Sequence, residues 1–496
     1  MYIVSRPDPR DLSDEELYEA IFVVPSLPLL CHMTHLARAW QTCHAYGALA
    51  AALSVAACAA PEATVETGIG DGAMPLNFVI GLTGPSGAGK GLASSDRFMI
   101  PGTPLAAAPG VPLVGGSAQM INTAPRIRRH GRPASGEALI TMFYEPNPNY
   151  IPPNAKAPAN PAPANTTSKW QRNGKALLIN WGEIDQFAAK SGAKGSTLEA
   201  TARSGWSGEE LGDESITRVA AGLPCTVDAM TYRLVLLFGV QPEKGAALFD
   251  SAGGTLQRVI WLPVYDPDKL CDPAELQAAK AAAFQVMHLP VPRDLRRAKR
   301  PSLYVPGPTG DIIVTDDVID AIQYETGRPD RDPEETHATA NRIRLAAIFA
   351  GWVRRPGQPC VVDMDAWYWA GLVMEVSRRT REEVRTGIRR GKTRDAAELG
   401  VLDGYRAQAR KATLDEAAAK RLAAEAAWAR DYVTARPDLT NREINQGRSR
   451  KSRDEFKIEA VLAEADALGY IVPVDVVAGN GRVKTVWRRA AEAGAA

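Results

Sequence analysis

The stretch Asn77–Ser94, NFVIGLTGPSGAGKGLAS, decides how the rest of the chain is read. Its first part, Phe78–Leu82, is a short and almost wholly apolar run, the kind that forms a buried strand in a parallel sheet covered on both faces. Its second part, Gly84-x4-Gly89-Lys90, has the spacing of a phosphate-binding loop. Such a loop needs glycines so that successive backbone N–H groups can turn inward around phosphate oxygens. It also needs a lysine that reaches the β- and γ-phosphates. Gly84, Pro85, Ser86, Gly87, Ala88, Gly89, Lys90 and Gly91 are therefore expected to cradle a nucleotide, with a helix beginning at Lys90. Gly91 departs from the pattern, because a serine or threonine hydroxyl normally ligates Mg²⁺ there. Mg²⁺ usually keeps several waters, so a water can stand in that place. The expectation is nucleotide binding, with hydrolysis that is slow.

Working outward, further apolar runs predict strands at Leu139–Tyr144, Ala176–Asn180, Tyr232–Val240 and Arg258–Pro263. In KALLINWGEIDQF, Glu183 and Asp185 sit just past the end of such a strand, separated from it by Asn180-Trp181-Gly182. They are candidates to polarise water and to hold Mg²⁺. Glu183 is preferred as the base and Asp185 as the metal ligand, although two solvated loop acids would read the same way. Gln241 ends the next strand, where ring-forming ATPases place a polar side chain against the γ-phosphate or the attacking water; a plain Gln-Pro turn is the alternative. Arg258, at the mouth of the last strand, can stabilise transition-state charge on a neighbouring subunit's nucleotide or make a structural salt bridge.

Composition narrows the class. The chain has 496 residues, and 58 Lys and Arg nearly cancel 57 Asp and Glu, so partners must be read from local charge. Six scattered cysteines form no C-x-x-C pair, which argues against a zinc ribbon or a disulfide framework and fits a reducing cytoplasm. The charged start MYIVSRPDPRDLSDEE is no signal peptide, and the apolar stretch Ala45–Ala60 is too short to span a bilayer, so no membrane association is expected. The expected organisation is a helical region over 1–75, a nucleotide-binding domain over 76–295, a helical lid over 296–395, a linking helix over 396–427 and a small domain over 428–490. Glu145–Lys169 carries seven prolines and is expected to be an exposed, mobile loop.

The tail, Leu439–Arg489, reads as a winged helix. Thr440-x-x-Glu443 opens a short helix and Ser452-x-x-Glu455 a longer one, which Gly469 stops. Strands Tyr470–Val474 and Val483–Trp487 then flank a turn at Asn480-Gly481. Arg448, Arg450, Lys451 and Arg453 lie where a recognition helix meets a duplex, and Arg482 and Lys484 lie on the wing. A winged helix used only for protein contacts is the alternative. Further basic clusters occur at Arg126–Arg132 (Arg126, Arg128, Arg129, Arg132), Arg293–Arg300 and Arg378–Arg394. They are solvated faces or the lining of a channel for single-stranded nucleic acid.

Together, Gly84–Gly91, Gly182–Gly212, Phe238–Pro242 and Gly253–Pro263 resemble a family of actinobacterial P-loop ATPases carried by phages, satellites, plasmids and integrative elements, similar to the helicase half of primase–helicase proteins. The resemblance spans roughly residues 20–395. It implies an α/β fold with an AAA+- or RecA-like core, ATP and Mg²⁺ as cofactors, a homo-oligomeric ring such as a hexamer, DNA as partner and a primase nearby. In it, Lys90 binds phosphate, the acids near Glu183 serve Mg²⁺ and water, and Arg258 is the candidate finger. The leading expectation is a DNA helicase or replication initiator. The rival is a nucleotide-gated DNA-binding protein (a loader, a replication regulator or a defence component) with little turnover. A small-molecule kinase fits the chain length and tail poorly.

Overall fold

A computed structural model of the chain describes residues 6–490, apart from 24–26, 41–43, 68–71, 94–98, 102–113, 116–126, 131, 153–167, 173–175, 215, 247–253, 266–269, 287–289, 299–301, 306, 309–311, 330–334, 355–357 and 480. The opening stretch supplies β1, Phe78–Thr83. It lies in a five-stranded, all-parallel sheet with β2 (Ile127–His130), β3 (Ala176–Trp181), β4 (Arg233–Val240) and β5 (Val259–Pro263). The spatial order is β5-β1-β4-β3-β2. The fold class is thus α/β. Every residue of β1 and β4 is buried, as a parallel strand covered on both faces requires.

Alternation along the strands sorts side chains to two cores. On one face Phe78, Ile80, Leu82, Val235, Leu237, Ile260 and Leu262 join the buried helix Ala45–Ala59. Its small side chains let that helix lie close against the strands. On the other face Val79, Leu177, Ile179, Leu234, Leu236, Phe238 and Trp261 pack with residues of the helices Gly136–Thr141, Ile184–Ser191 and Leu198–Ser207.

A polar network lies buried at the amino ends of β1 and β4. The Arg233 guanidinium donates to the carbonyls of Ala60 (2.9 Å), Pro61 (3.3 Å) and Ala63 (2.5 Å) and to Asn77 Oδ1 (3.3 Å). Asn77 Oδ1 also accepts from the backbone N–H of Leu234 at 3.0 Å, and its amide donates to the carbonyl of Gly205 at 2.6 Å. One side chain thus ties two strands and the helix Leu198–Ser207.

The structure differs from the sequence reading in several places. The first half of Leu139–Tyr144, expected as a strand, falls in the helix Gly136–Thr141, and only Tyr144 is in a strand. Ser135 caps it by accepting from the N–H of Ala138, and Leu139, Ile140 and Phe143 are buried at helical rather than alternating spacing. Of the proline-rich segment, 153–167 lies outside the described residues, while Tyr144–Pro146 and Trp170–Arg172 on either side pair as short antiparallel strands. The region 300–395, read as helical, also holds the short strands Ser302–Val305, Ile312–Val314 and Cys360–Val362. The alanine-rich stretch 396–427 belongs to one helix, Met364–Ala435.

The chain divides into two compact units, Met1–Lys392 and Thr393–Ala496. In the second, Asn441–Gly447, Arg450–Glu455 and Ile458–Ala467 are helices, followed by an antiparallel hairpin of β6 (Ile471–Val477) and β7 (Val483–Arg489). Leu439 adds a bridge to Trp487 on the edge of the hairpin. Ser452 does not open a longer helix as expected: Ser449 caps the short one, and a break at Phe456-Lys457 precedes the next. Ser452 is instead buried, with its hydroxyl donating to Glu425. Arg448 is buried beside it, ion-paired to Glu425 at 3.3 Å and donating to the Ser452 carbonyl at 2.7 Å.

Two outcomes test these networks. Asn77→Ala strands the donors of Arg233 and Leu234 and should cost roughly 3 kcal/mol, read as a fall in the unfolding midpoint of the first unit. Glu425→Ala leaves the Arg448 charge buried and unpaired and should destabilise the second unit by roughly 3 kcal/mol. In hydrogen exchange, protection should then drop in 425–490 and hold in the parallel sheet.

Candidate nucleotide site and nucleic-acid interface

The carboxyl ends of β1, β4 and β3 bring the loop, Lys90, Gln241 and Glu183 together, whereas Arg258, just before β5, lies at the opposite, amino end of the sheet. After β1 the chain turns through Gly84–Gly89 into the short helix Lys90–Ala93. Gly87 and Gly89 have φ of 82° and 88°, a left-handed region in which a side chain would be strained. Lys90 is buried to 6% exposure, and its ammonium donates to the carbonyls of Gly84 and Pro85, both at 2.8 Å. The lysine closes the loop on itself. Burial pushes its pKa below the ordinary value, Glu183 draws it upward, and Lys244 pushes it down again.

Glu183 follows β3 at the N-cap position of the helix Ile184–Ser191, without a capping hydrogen bond from its side chain. Gln241 directly follows β4, and its amide donates to Glu183 Oε2 at 3.3 Å. Asp185 points elsewhere: it pairs with Lys244 at 3.9 Å, on the turn Pro242–Lys244 that follows Gln241. The two acids named from sequence therefore hold different partners. Close backbone approach brings these strand ends together. A Cβ on Gly239 would lie 2.0 Å from the Gly182 carbonyl oxygen and 3.8 Å from Lys90 Cβ. At Gly91 the same added atom would meet no atom of the described residues within 4 Å. The space for the usual hydroxyl is present and only the group is missing.

Arg258 is engaged by its own chain. Its guanidinium donates to the Gly254 carbonyl at 2.8 Å and lies 5.2 Å from the centre of the Trp206 ring, while its backbone carbonyl accepts from Asn341 at 3.2 Å. Burial lowers its pKa.

The basic residues are sorted by the structure. Arg126 lies outside the described residues, as do the side chains of Arg128 and Arg129 on β2. Arg132 is exposed and donates to the Asn180 carbonyl at 3.4 Å, which places it at the carboxyl end of β3. In the cluster Arg378–Arg394, Arg378 and Arg379 are tied to Glu375, and Arg385 to Glu382. In the second unit Arg450, Lys451 and Arg453 are exposed on one short helix, and Arg482 and Lys484 are exposed at the hairpin. Arg448, grouped with them from sequence, has its charge met inside the fold. Lys244 was not singled out by sequence, and its one signal is a lysine three residues beyond the polar end of β4.

Among the described residues no group of three or more His, Cys, Asp or Glu side chains is gathered as a metal site, and no helix is long and apolar enough to cross a membrane. Comparison with known protein families and with curated proteins finds no match for this chain.

Gly239→Ala forces the ends of β4 and β3 apart and should cost roughly 3 kcal/mol, read by thermal unfolding. Gly91→Ser enters open space and should leave stability within about 0.5 kcal/mol of the parent.

Proposed function

We propose that this chain is a P-loop ATPase that acts on DNA: an ATP-dependent helicase or replication-initiator ATPase of a mobile genetic element, with a winged helix in its second unit. One observation carries the reading. Lys90, Gln241 and Glu183 come from the carboxyl ends of three adjacent parallel strands and meet beside a glycine loop. That is where open α/β sheets bind ligands, and β1 has its sequence-distant partners β4 and β5 on either side.

The residues fit ATP with Mg²⁺. Lys90, held by loop carbonyls, is placed to exchange them for phosphate oxygens. The open space at Gly91 admits a water where a hydroxyl would ligate the metal. Bound Mg²⁺–ATP would supply the phosphoryl group that water attacks. Glu183 would take that water's proton, and the Gln241 amide holds the carboxylate in place. Arg258 would have to leave Gly254 and Trp206 to reach a neighbouring subunit in a ring. The exposed Arg450, Lys451, Arg453, Arg482 and Lys484 would meet phosphates of duplex or single-stranded DNA. A primase partner and a cytoplasmic setting belong to the same proposal.

Gly91 favours a second reading, a nucleotide-gated DNA-binding protein with little turnover. Steady-state ATP hydrolysis with and without single-stranded and duplex DNA separates the two, with Lys90→Ala as control. For the ATPase, DNA should raise the rate at least several-fold, Lys90→Ala should abolish it, and Gly91→Ser should increase its Mg²⁺-dependent part. Tight ATP binding without turnover, with or without DNA, would sink the motor and leave the gated binder.

A further inference from the structure

Resting on the nucleotide reading, we infer that Lys244 is a second phosphate ligand of this site, held by Asp185 until nucleotide arrives.

Position is the first argument. Lys244 lies three residues past Gln241, on the turn Pro242–Lys244 at the carboxyl end of β4, the strand between β1 and β3. Gln241 reaches Glu183 on one side of this turn, and Lys244 reaches Asp185, two residues further along the chain from Glu183. Lys244 is also near enough to Lys90 for the two charges to interact. Two lysines and two carboxylates thus share one end of the sheet, and their formal charges cancel.

The second argument is that the turn has a fixed seat. The helix Met364–Ala435 presents Gly387 and Gly391, about one turn apart, to its backbone. A Cβ on Gly387 would lie 2.5 Å from Pro242 Cβ, and one on Gly391 would lie 3.2 Å from the Glu243 carbonyl oxygen. Gly245 closes the turn from beneath, where a Cβ would come within 2.7 Å of Val384 Cγ1. The backbone that carries Lys244 is therefore set against a helix, and only the side chain is free to swing.

The third argument is the quality of the ion pair. Its separation is 3.9 Å, and both side chains are more than half exposed (56% and 52%). Exposed pairs of this geometry contribute little to folding. A phosphate oxygen offers an ammonium a stronger, charge-assisted bond than a solvated carboxylate at that distance. The site also lacks the hydroxyl at Gly91 that would help a metal offset phosphate charge, so a second ammonium supplies part of what is missing.

The test is equilibrium binding of ATP to the full chain, titrated in EDTA and again in Mg²⁺. It compares the parent with Lys90→Ala, Lys244→Ala, Lys244→Arg and Asp185→Asn. If Lys244 is a phosphate ligand, Lys244→Ala should weaken binding about tenfold in both conditions. Lys244→Arg should restore most of it, and Asp185→Asn should bind as tightly as the parent or more so in EDTA, because it releases the lysine. A pair that only braces the turn predicts equal losses for Lys244→Ala and Asp185→Asn. That result, or parent-like binding by Lys244→Ala, would overturn the assignment while leaving the nucleotide site standing. Failure of the parent to bind ATP, or binding that survives Lys90→Ala, would overturn the nucleotide reading and this inference with it.

Discussion

The first unit is organised around a buried cation with neutral partners. Arg233 has no exposed surface, and its hydrogen-bond acceptors are three backbone carbonyls and the Asn77 amide oxygen. Burial pushes its pKa down to about 10, which leaves it charged at neutral pH. Ala60, one of those acceptors, caps the carboxyl end of the helix Ala45–Ala59, where the partial negative charge of unsatisfied carbonyls favours a cation. The Nη donors of the guanidinium can be satisfied only if that helix end and the starts of β1 and β4 stay together. The amino ends of the sheet are thereby pinned, and the glycine-rich turns gather at the opposite end.

At that opposite end, contact between strands does the positioning. Gly239 lets β4 run against the Gly182 carbonyl and beside Lys90 Cβ, and this closeness is what brings Gln241 to Glu183. The helix Met364–Ala435 reaches the same place through Gly387 and Gly391.

Much of this was legible in residue order. β1, β3, β4 and β5 are continuous apolar runs, and full burial of parallel strands leaves that signature. Ser13 with Glu16 and Thr440 with Glu443 announce their helices, since capping is a local interaction. Leu139–Tyr144 misled because a short apolar run has no period of its own. Ser135 settled it as a helix by offering a cap to Ala138. Arg448 misled in another way. A basic residue beside Arg450, Lys451 and Arg453 looks like one more surface charge, and only the fold brings Glu425, 23 residues earlier, against it.

The sequence by itself determined the strand–glycine loop–lysine unit, the acids past β3, the polar residue after β4 and the first helix and hairpin of the tail, because each depends on neighbours a few residues apart. The tertiary structure decided the strand order, the pairing of Gln241 with Glu183 and of Lys244 with Asp185, the engagement of Arg258 by Gly254 and Trp206, and the burial of Arg233 and Arg448. Apart from the Gly254 carbonyl, four residues from Arg258, the groups involved lie tens to hundreds of residues apart in the chain, and a charge or amide carries no local mark of which distant partner will satisfy it once water is excluded.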